Sequence, residues 1–392
     1  MIDAVVAGHL CVDIIPQIPP IADPSNFLAP GRLTETGGMV LSTGGSVSNT
    51  GLALHKLGMD VRLVARLGQD LIANLTREIL RSHGERLIEQ LTVGYGEPSS
   101  YTIVINPPGV DRTFLHCPGP NHTFGPEDIS DELLDQARLF HLGYPPLMRR
   151  MYADSGETLS AIYRRAQERG VTTSLDMSMP DPTQASGKAD WRAVLGATLP
   201  YVDVFVPSAE ELMFMLWRER YDELNRAVGA ADMLDALAPD DLACLAERAF
   251  ELGSKILAIK LGHRGLYLRT ASALADMGRG APAHLDEWTS REMWMPCFQV
   301  QVVGTVGAGD CTIAGFLAGI LHGQGPVAAA TSATAVGACN VEAADATSGV
   351  RSWEETQARI TGGWPRAAMA LDAPGWRWES FPGVFFGPRD QR

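Results

Sequence analysis

The chain has 392 residues, of which 45% are hydrophobic and 20% charged, and it carries a formal net charge of −14 with no Lys/Arg-rich run. That length admits two or three domains, or one large α/β unit with a sizeable buried core. An acidic balance without a basic stretch speaks against nucleic-acid and anionic-membrane partners, so any phosphate site has to be local.

At the N-terminus, Met1 to Ala7 has neither a basic leader region nor a cleavage site, and nowhere do about 18 apolar residues run uninterrupted. Cys11, Cys117, Cys244, Cys297, Cys311 and Cys339 are scattered, with no CxxC pair and no metal-ligand spacing around them. A cytoplasmic location with reduced core thiols is the expectation.

Ile2 to Ala7 predicts the first strand, and the Pro-rich stretch Ile14 to Gly37 predicts irregular backbone. A helix over Asn49 to Leu57 and a strand over Val61 to Leu67 follow. Tyr101 to Ile105 and Val110 to His116 flank Asn106-Pro-Pro-Gly109 and read as a β-hairpin. Further strands are expected at Leu139 to Leu142, Thr172 to Leu175, Val202 to Val206, Ile256 to Leu261 and Phe298 to Val303. Helical spacing marks Asp131 to Ala137, Thr158 to Glu168 and Asp241 to Leu252, and Arg218 to Asp241 is a charged helical insertion with no visible chemistry.

This alternation predicts a three-layer α/β sandwich around a mostly parallel twisted sheet. The hairpin and the Pro-rich stretch are expected to form a small β flap, or lid, over residues 14–37 and 97–117. The core then comprises 1–13, 38–96 and 118–362. The aromatic and Pro-rich tail, 363–392, is expected to pack on the body or on a neighbour.

The chemistry concentrates where Phe298 to Val303 leads into Gly304-Thr-Val-Gly-Ala-Gly-Asp310 and an apolar helix through Ile313 and Leu321. A glycine loop opening a helix points several backbone N–H groups at one spot on the positive end of the helix dipole, which suits a phosphate. Gly307, Ala308 and Gly309 keep side chains out of that spot. Asp310 beside it either accepts a proton from an attacking hydroxyl or is a helix N-terminal charge.

The segment Gly304 to Leu317 resembles the C-terminal signature of the ribokinase-like, or PfkB, carbohydrate kinase family. The resemblance implies ATP-dependent phosphorylation of a sugar hydroxyl, with Asp310 as catalytic base and Gly307 to Gly309 as anion hole. Gly304 departs from the pattern: the family commonly has an acidic residue there, tied to a monovalent-cation site, so potassium activation is not expected. Gly44-Gly-Ser-Val-Ser-Asn49 resembles the family's N-terminal signature. In it Gly44 and Gly45 let backbone approach a polyol and Asn49 bonds its hydroxyls, against a plainer reading of Asn49 as a helix cap.

Other positions follow from the same resemblance. Asp13 is similar to the family's first sugar contact, against a plain reading as a turn aspartate. Asn121, in Pro118-Gly-Pro-Asn121, falls in a stretch that closes on substrate, and Arg112 in the flap is either a contact to an acceptor's anionic group or an exposed strand arginine. Glu211, in Pro207-Ser-Ala-Glu-Glu211, matches the glutamate that orients magnesium-bound water. Ser208 stands where the family has asparagine, and Ser208 with Glu211 also forms a capping box. Thr305, Lys260 and Gly262 would border the nucleotide, and Thr334 and Asn340 would lie on the helix walling the adenine. The implied cofactors are ATP and Mg2+, and a homodimer formed through the lid is a further expectation.

A dinucleotide oxidoreductase is disfavoured, because no GxGxxG follows the first strand, and no Walker A motif occurs. Two alternatives stay open: a nucleoside kinase of the same fold, and a non-catalytic sugar-binding relative.

Overall fold

The computed structural model describes residues 1–20, 30–31, 33–108, 113–228 and 232–391. A ten-stranded sheet runs through the body in the order Arg377–Glu379, Val384–Phe386, Glu292–Met295, Leu266–Thr270, Ile256–Lys260, Val204–Phe205, Thr172–Leu175, Ala137–Gly143, Ile2–Gly8 and Val61–Val64. Neighbours from Ile256–Lys260 to Val61–Val64 pair parallel, and those on the other side pair antiparallel. Central strands such as Thr172–Leu175 are buried along their whole length, as strands covered on both faces must be.

One apolar layer joins Phe140, Phe205 and Tyr267 to the helices Glu157–Glu168 and Pro239–Glu251. The opposite layer joins Val6, Val204 and Leu268 to Ser46–Lys56, Ala308–Leu321 and Pro326–Asn340. The result is a three-layer sandwich whose strand periodicity sends alternate side chains to opposite cores.

Beside it stands a separate four-stranded sheet in the order Met39–Gly44, Cys11–Pro16, Tyr101–Ile105 and Thr113–Cys117. The flap is thus wider than 14–37 and 97–117, since Cys11–Pro16 and Met39–Gly44 pair with each other through Cys11 and Gly44. Tyr101–Ile105 and Thr113–Cys117 form the expected hairpin arms. Arg112 lies outside the described residues.

Two sequence expectations are corrected. Phe298 to Val303 is not a strand: the sheet strand is Glu292–Met295, Pro296 follows it, and only an isolated bridge ties Phe298 to Arg366. Val302 and Val303 are 60% and 59% exposed, so their β-branched pattern does not mark a buried strand face. The strand expected over Val61 to Leu67 is split, Val61–Val64 joining the main sheet and Arg66–Leu67 pairing with Thr92–Val93. The tail is also more than packing material. Its strand Val384–Phe386 pairs with Glu292–Met295 and carries Arg377–Glu379 outside it.

Candidate active site

Two helix N-termini converge above the carboxyl ends of the parallel strands, where open α/β sheets place their ligands. Ser46–Lys56 begins after Gly45 (φ 89°), and Ala308–Leu321 begins after Gly307 (φ 70°). Both glycines are required. A Cβ on Gly45 would stand 2.5 Å from the His9 carbonyl oxygen, and one on Gly307 would stand 2.4 Å from that of Ala346.

Asp310 lies in the first turn of the second helix and is 3% exposed. Its carboxylate accepts from Asn49 Nδ2 at 2.9 Å, from Thr50 Oγ1 at 3.4 Å, and from the Tyr144 hydroxyl at 2.8 and 3.0 Å. Burial raises the Asp310 pKa, and the Asn49 hydrogen bond, the Lys260 charge, Tyr144 and Thr50 work in the opposite direction. Burial and the adjacent Asp310 charge push the Tyr144 phenol well up, so it is a hydrogen donor at neutral pH.

Lys260 ends its strand with Nζ 2.5 Å from Asp176 Oδ1. Burial works against its charge, but the Asp176, Glu211 and Asp310 carboxylates outweigh that effect and hold the ammonium protonated. A Cβ on Gly309 would lie 3.8 Å from this Nζ, so the cation sits beside the glycine loop. Ala308 N–H turns back to the Thr305 carbonyl at 3.3 Å. The N–H groups of Gly309 and Asp310 belong to the first helical turn, whose donors have no intrahelical acceptor.

Two cavities meet at Lys260, Gly262 and Gly309. One, of about 790 Å³, is bordered by Thr305, Ala308 and Thr334, by apolar Phe298, Val300 and Val302, and by Ala367 and Ala368 of the tail. The other, of about 730 Å³, holds Asp310, Gly307, Tyr144 and Glu211, and is bordered by Tyr221, Asn225 and Leu234 of the charged insertion. The insertion therefore reaches the site, which its sequence alone did not indicate. Glu211 Oε2 accepts from Ser208 N–H at 2.7 Å, completing the capping box, and the carboxylate still lines the cavity. A bridge between Ser208 and Lys260 fixes their separation.

The remaining residues singled out in the sequence divide into two groups. Asp13 stands on the flap strand Cys11–Pro16, its Oδ1 3.5 Å from Cys11 Sγ, and burial raises its pKa. Gly44 gives it room, since a Cβ there would meet Asp13 Oδ2 at 2.2 Å. Asn49 does not cap its helix, whose cap position is Gly45: its Nδ2 donates to Asp310, while its buried Oδ1 has no hydrogen-bond partner. Asn121 is fully buried and is committed to the backbone of Leu10 and Pro118, so it braces the base of the flap. Asn340 is likewise buried and holds the Val306 carbonyl at 2.9 Å, fixing the glycine loop from behind. Thr334 borders the larger cavity, but its hydroxyl also accepts from Arg366 Nη1 at 2.8 Å.

Sequence reasoning missed Tyr144, Thr50 and Asp176. Tyr144 and Asp176 each directly follow a parallel strand, Ala137–Gly143 and Thr172–Leu175. Polar residues at the carboxyl ends of such strands are the signal that would have marked them.

The fold and this site define a phosphotransferase with an alcohol group as acceptor. Residues 5–353 match the model of the pfkB family carbohydrate kinases, and the chain belongs to that family. It is 24% identical over 278 residues to an uncharacterized sugar kinase of Archaeoglobus fulgidus, a match covering 70% of this chain and 88% of the relative. It is 26% identical over 266 residues to an ATP-dependent ribose-1-phosphate kinase of Halopiger xanaduensis, covering 68% of this chain and 69% of that one. Among solved structures it superposes on Arabidopsis thaliana ribokinase complexed with ribose and ATP with a TM-score of 0.65 and 17% identity, over 91% of this chain and 98% of that one. Xylella fastidiosa fructokinase with bound ATP gives a TM-score of 0.66 and 19% identity, over 92% and 98%.

Proposed function

We propose that the chain transfers the γ-phosphoryl group of ATP to a hydroxyl of a sugar or sugar-like alcohol, with Asp310 accepting the proton. The observation carrying this reading is the buried Asp310 carboxylate at a helix N-terminus, held by Asn49, Thr50 and Tyr144. A carboxylate has about four lone-pair sites. Three protein donors orient it and leave capacity for one more, the acceptor hydroxyl.

Asp310 does not deprotonate the alcohol beforehand. An ordinary Asp near ~3.9 against an alcohol close to water's ~15.7 would cost roughly 16 kcal/mol at about 1.36 per unit. Proton transfer therefore comes late, when the hydroxyl oxygen already bonds to phosphorus, and Asp310 chiefly orients and accepts. Charge on the transferred group is met at the Gly307 to Gly309 loop by the first-turn N–H groups of Gly309 and Asp310, and by Lys260.

ATP fits the two joined cavities, its base against Phe298, Val300 and Val302 and its phosphates toward Lys260 and Gly309. Glu211 fits a role of holding magnesium through water, because its carboxylate lines the cavity beside Asp310 and Mg2+ retains much of its hydration. When bound, the ion neutralises phosphate charge. The acceptor lies toward Asp13, Gly44 and Gly45 at the base of the flap. A sugar acceptor accords with the activities named for the Halopiger kinase and the Arabidopsis ribokinase. On the flap, Met39, Val40, Phe114 and Leu115 are 50–61% exposed in one copy, and a lid-to-lid homodimer would cover them.

Release of ADP from ATP, read with and without each of a panel of sugars, sugar phosphates, sugar acids and nucleosides, tests the reading. A sugar-dependent rise supports it, a rise with nucleosides alone replaces the acceptor class, and no acceptor-dependent turnover overturns it.

A further inference from the structure

The flap base carries a cluster that the phosphoryl-transfer site does not use. His9, Cys11 and His116 bring one ligand atom each to within 4.8 Å of one another, although His116 is 107 residues from His9. His9 leads into the flap strand Cys11–Pro16, and His116 stands on the strand Thr113–Cys117. We propose that these three residues form a binding site for one zinc-class divalent cation, with a fourth position open to water or a hydroxyl.

Geometry supports this first. The two imidazoles face each other Nε2 to Nε2 at 3.4 Å, longer than the usual N–H···N or N–H···O contact. Two nitrogens bound to one tetrahedral ion at ~2.0–2.1 Å lie about 3.3–3.4 Å apart. The sulfur, at a zinc–thiolate distance of ~2.3 Å, needs to come within about 3.5 Å of each nitrogen. A side-chain adjustment on the order of 1 Å from the present cluster achieves that.

The surroundings then fix the lone pairs. His116 Nδ1 lies 3.0 Å from Thr102 Oγ1, and Thr102 Oγ1 donates to Cys11 Sγ at 3.6 Å. For one hydroxyl to serve both, His116 must donate its Nδ1 proton to Thr102, which leaves Nε2 unprotonated and aimed at His9. Such an outer partner, orienting a ligating histidine, is the common companion of a metal site. Thr102 does this for two of the three ligands at once.

Donor chemistry selects the ion. One thiolate and two imidazoles suit Zn2+ or Co2+ and not the oxygen-seeking Mg2+ or Ca2+, so the site is separate from any magnesium near Glu211. Binding releases the Cys11 thiol proton to solvent. Three protein ligands with one open position are the composition of sites that keep an exchangeable fourth ligand. Because the ligands come from the flap base and from its outer hairpin strand, the ion would tie the hairpin to the body.

The test uses the full chain stripped with a chelator and titrated with Co2+ alone, followed by absorption, while bound Zn2+ is counted by mass spectrometry after dialysis. The expected result is one ion per chain, tetrahedral Co2+ bands, and a thiolate-to-metal charge-transfer band that Cys11→Ser removes. Thr102→Val should weaken binding by about 10–100-fold, and His116→Gln by more. His116 is exposed, so its replacement leaves the fold intact, as circular dichroism would check. Failure to bind an ion at equimolar concentration, or a spectrum unchanged in both Cys11→Ser and His116→Gln, overturns the proposal. Neither readout depends on kinase activity.

Discussion

Tyr144 sets its phenolic oxygen 2.8 and 3.0 Å from the two carboxylate oxygens of Asp310, and does so from a left-handed backbone with φ 64°. A non-glycine residue in that region is uncommon and is kept by its surroundings. Here the turn carries Tyr144 off the end of the strand Ala137–Gly143 and across to the helix Ala308–Leu321. The donated proton stabilises the ionised carboxylate, opposing the burial that raises its pKa. Tyr144→Phe removes that donor, so the Asp310 pKa should rise further. The acidic limb of the kcat profile is then expected to move to higher pH, while far-ultraviolet circular dichroism stays the same. A limb that stays put or moves to lower pH contradicts the assigned role.

Asp310→Asn keeps size and packing but removes the proton acceptor. General-base contributions are typically ~10²–10⁴-fold, so turnover should fall by at least about 100-fold. ATP binding, measured by calorimetry, should persist or tighten, since a negative charge near the phosphates is lost. A folded variant retaining more than about a tenth of wild-type turnover, outside that ~10²–10⁴-fold range, would refute the base.

Gly307→Ala addresses the loop instead of the carboxylate. The new methyl would stand 2.4 Å from the Ala346 carbonyl oxygen, in a backbone with φ 70°. The strain is worth about 1–3 kcal/mol, and displacing one anion-binding donor costs about 10²-fold in turnover. Both a lower melting temperature and a fall in kcat are expected. A variant that melts and turns over like the parent would show that the loop tolerates a side chain.

Turnover should be nearly indifferent to potassium. Gly304 offers no side-chain oxygen, and even a Cβ would lie 2.9 Å from the Ala343 carbonyl oxygen and 3.0 Å from Ala344 Cα. Gly304→Asp therefore should not install activation without moving residues 343 and 344. The measurement is initial rate as sodium or a large organic cation is replaced by potassium, and a steep rise in the parent chain contradicts the expectation.

Arg366 connects the tail to the larger cavity, where ATP is proposed to bind. It donates to Thr334 Oγ1 at 2.8 Å, to Thr331 Oγ1 at 3.1 Å and to the Pro296 carbonyl at 2.8 Å, with its guanidinium 3.8 Å above the Phe298 ring. Burial lowers its pKa to about 10, and it remains charged at neutral pH. Hydrogen bonds to charged groups contribute about 1.5–3 kcal/mol, so Arg366→Ala should raise KM for ATP by about tenfold or more. The effect on kcat should be smaller. An unchanged KM would separate the tail from nucleotide binding.

Much of this was legible in the sequence because the relevant signals are local. The strand Thr172–Leu175 has the bounds that its β-branched run implied. Asp310 stands out as a candidate because its loop, its helix N-terminus and its charge lie within a few residues of one another. The misreadings share a cause, which is dependence on distant chain. Phe298 to Val303 alternates like a strand, but Val384–Phe386 already occupies the free edge of Glu292–Met295. Tyr144 reaches Asp310 across 166 residues, and His116 reaches His9 across 107, so no spacing rule could reveal either pair. Asn121 and Asn340 stand in segments that the family resemblance marks, yet local sequence could not say whether their amides face a ligand or the backbone.

The two tail strands have a consequence for how the protein can be cut. The family match ends at residue 353, whereas the sheet ends at Val384–Phe386 and Arg377–Glu379. A fragment trimmed to the matched residues would bare the row of backbone donors and acceptors along Glu292–Met295, a strand that carries the buried Trp294 and is followed by the buried Phe298. Uncovered edges of that kind template pairing with other chains. Such a fragment should precipitate, or associate edge to edge, before any loss of catalysis could be measured. For this chain, the covering of the sheet edge and part of the wall of the larger cavity come from the same thirty-odd residues after the family match.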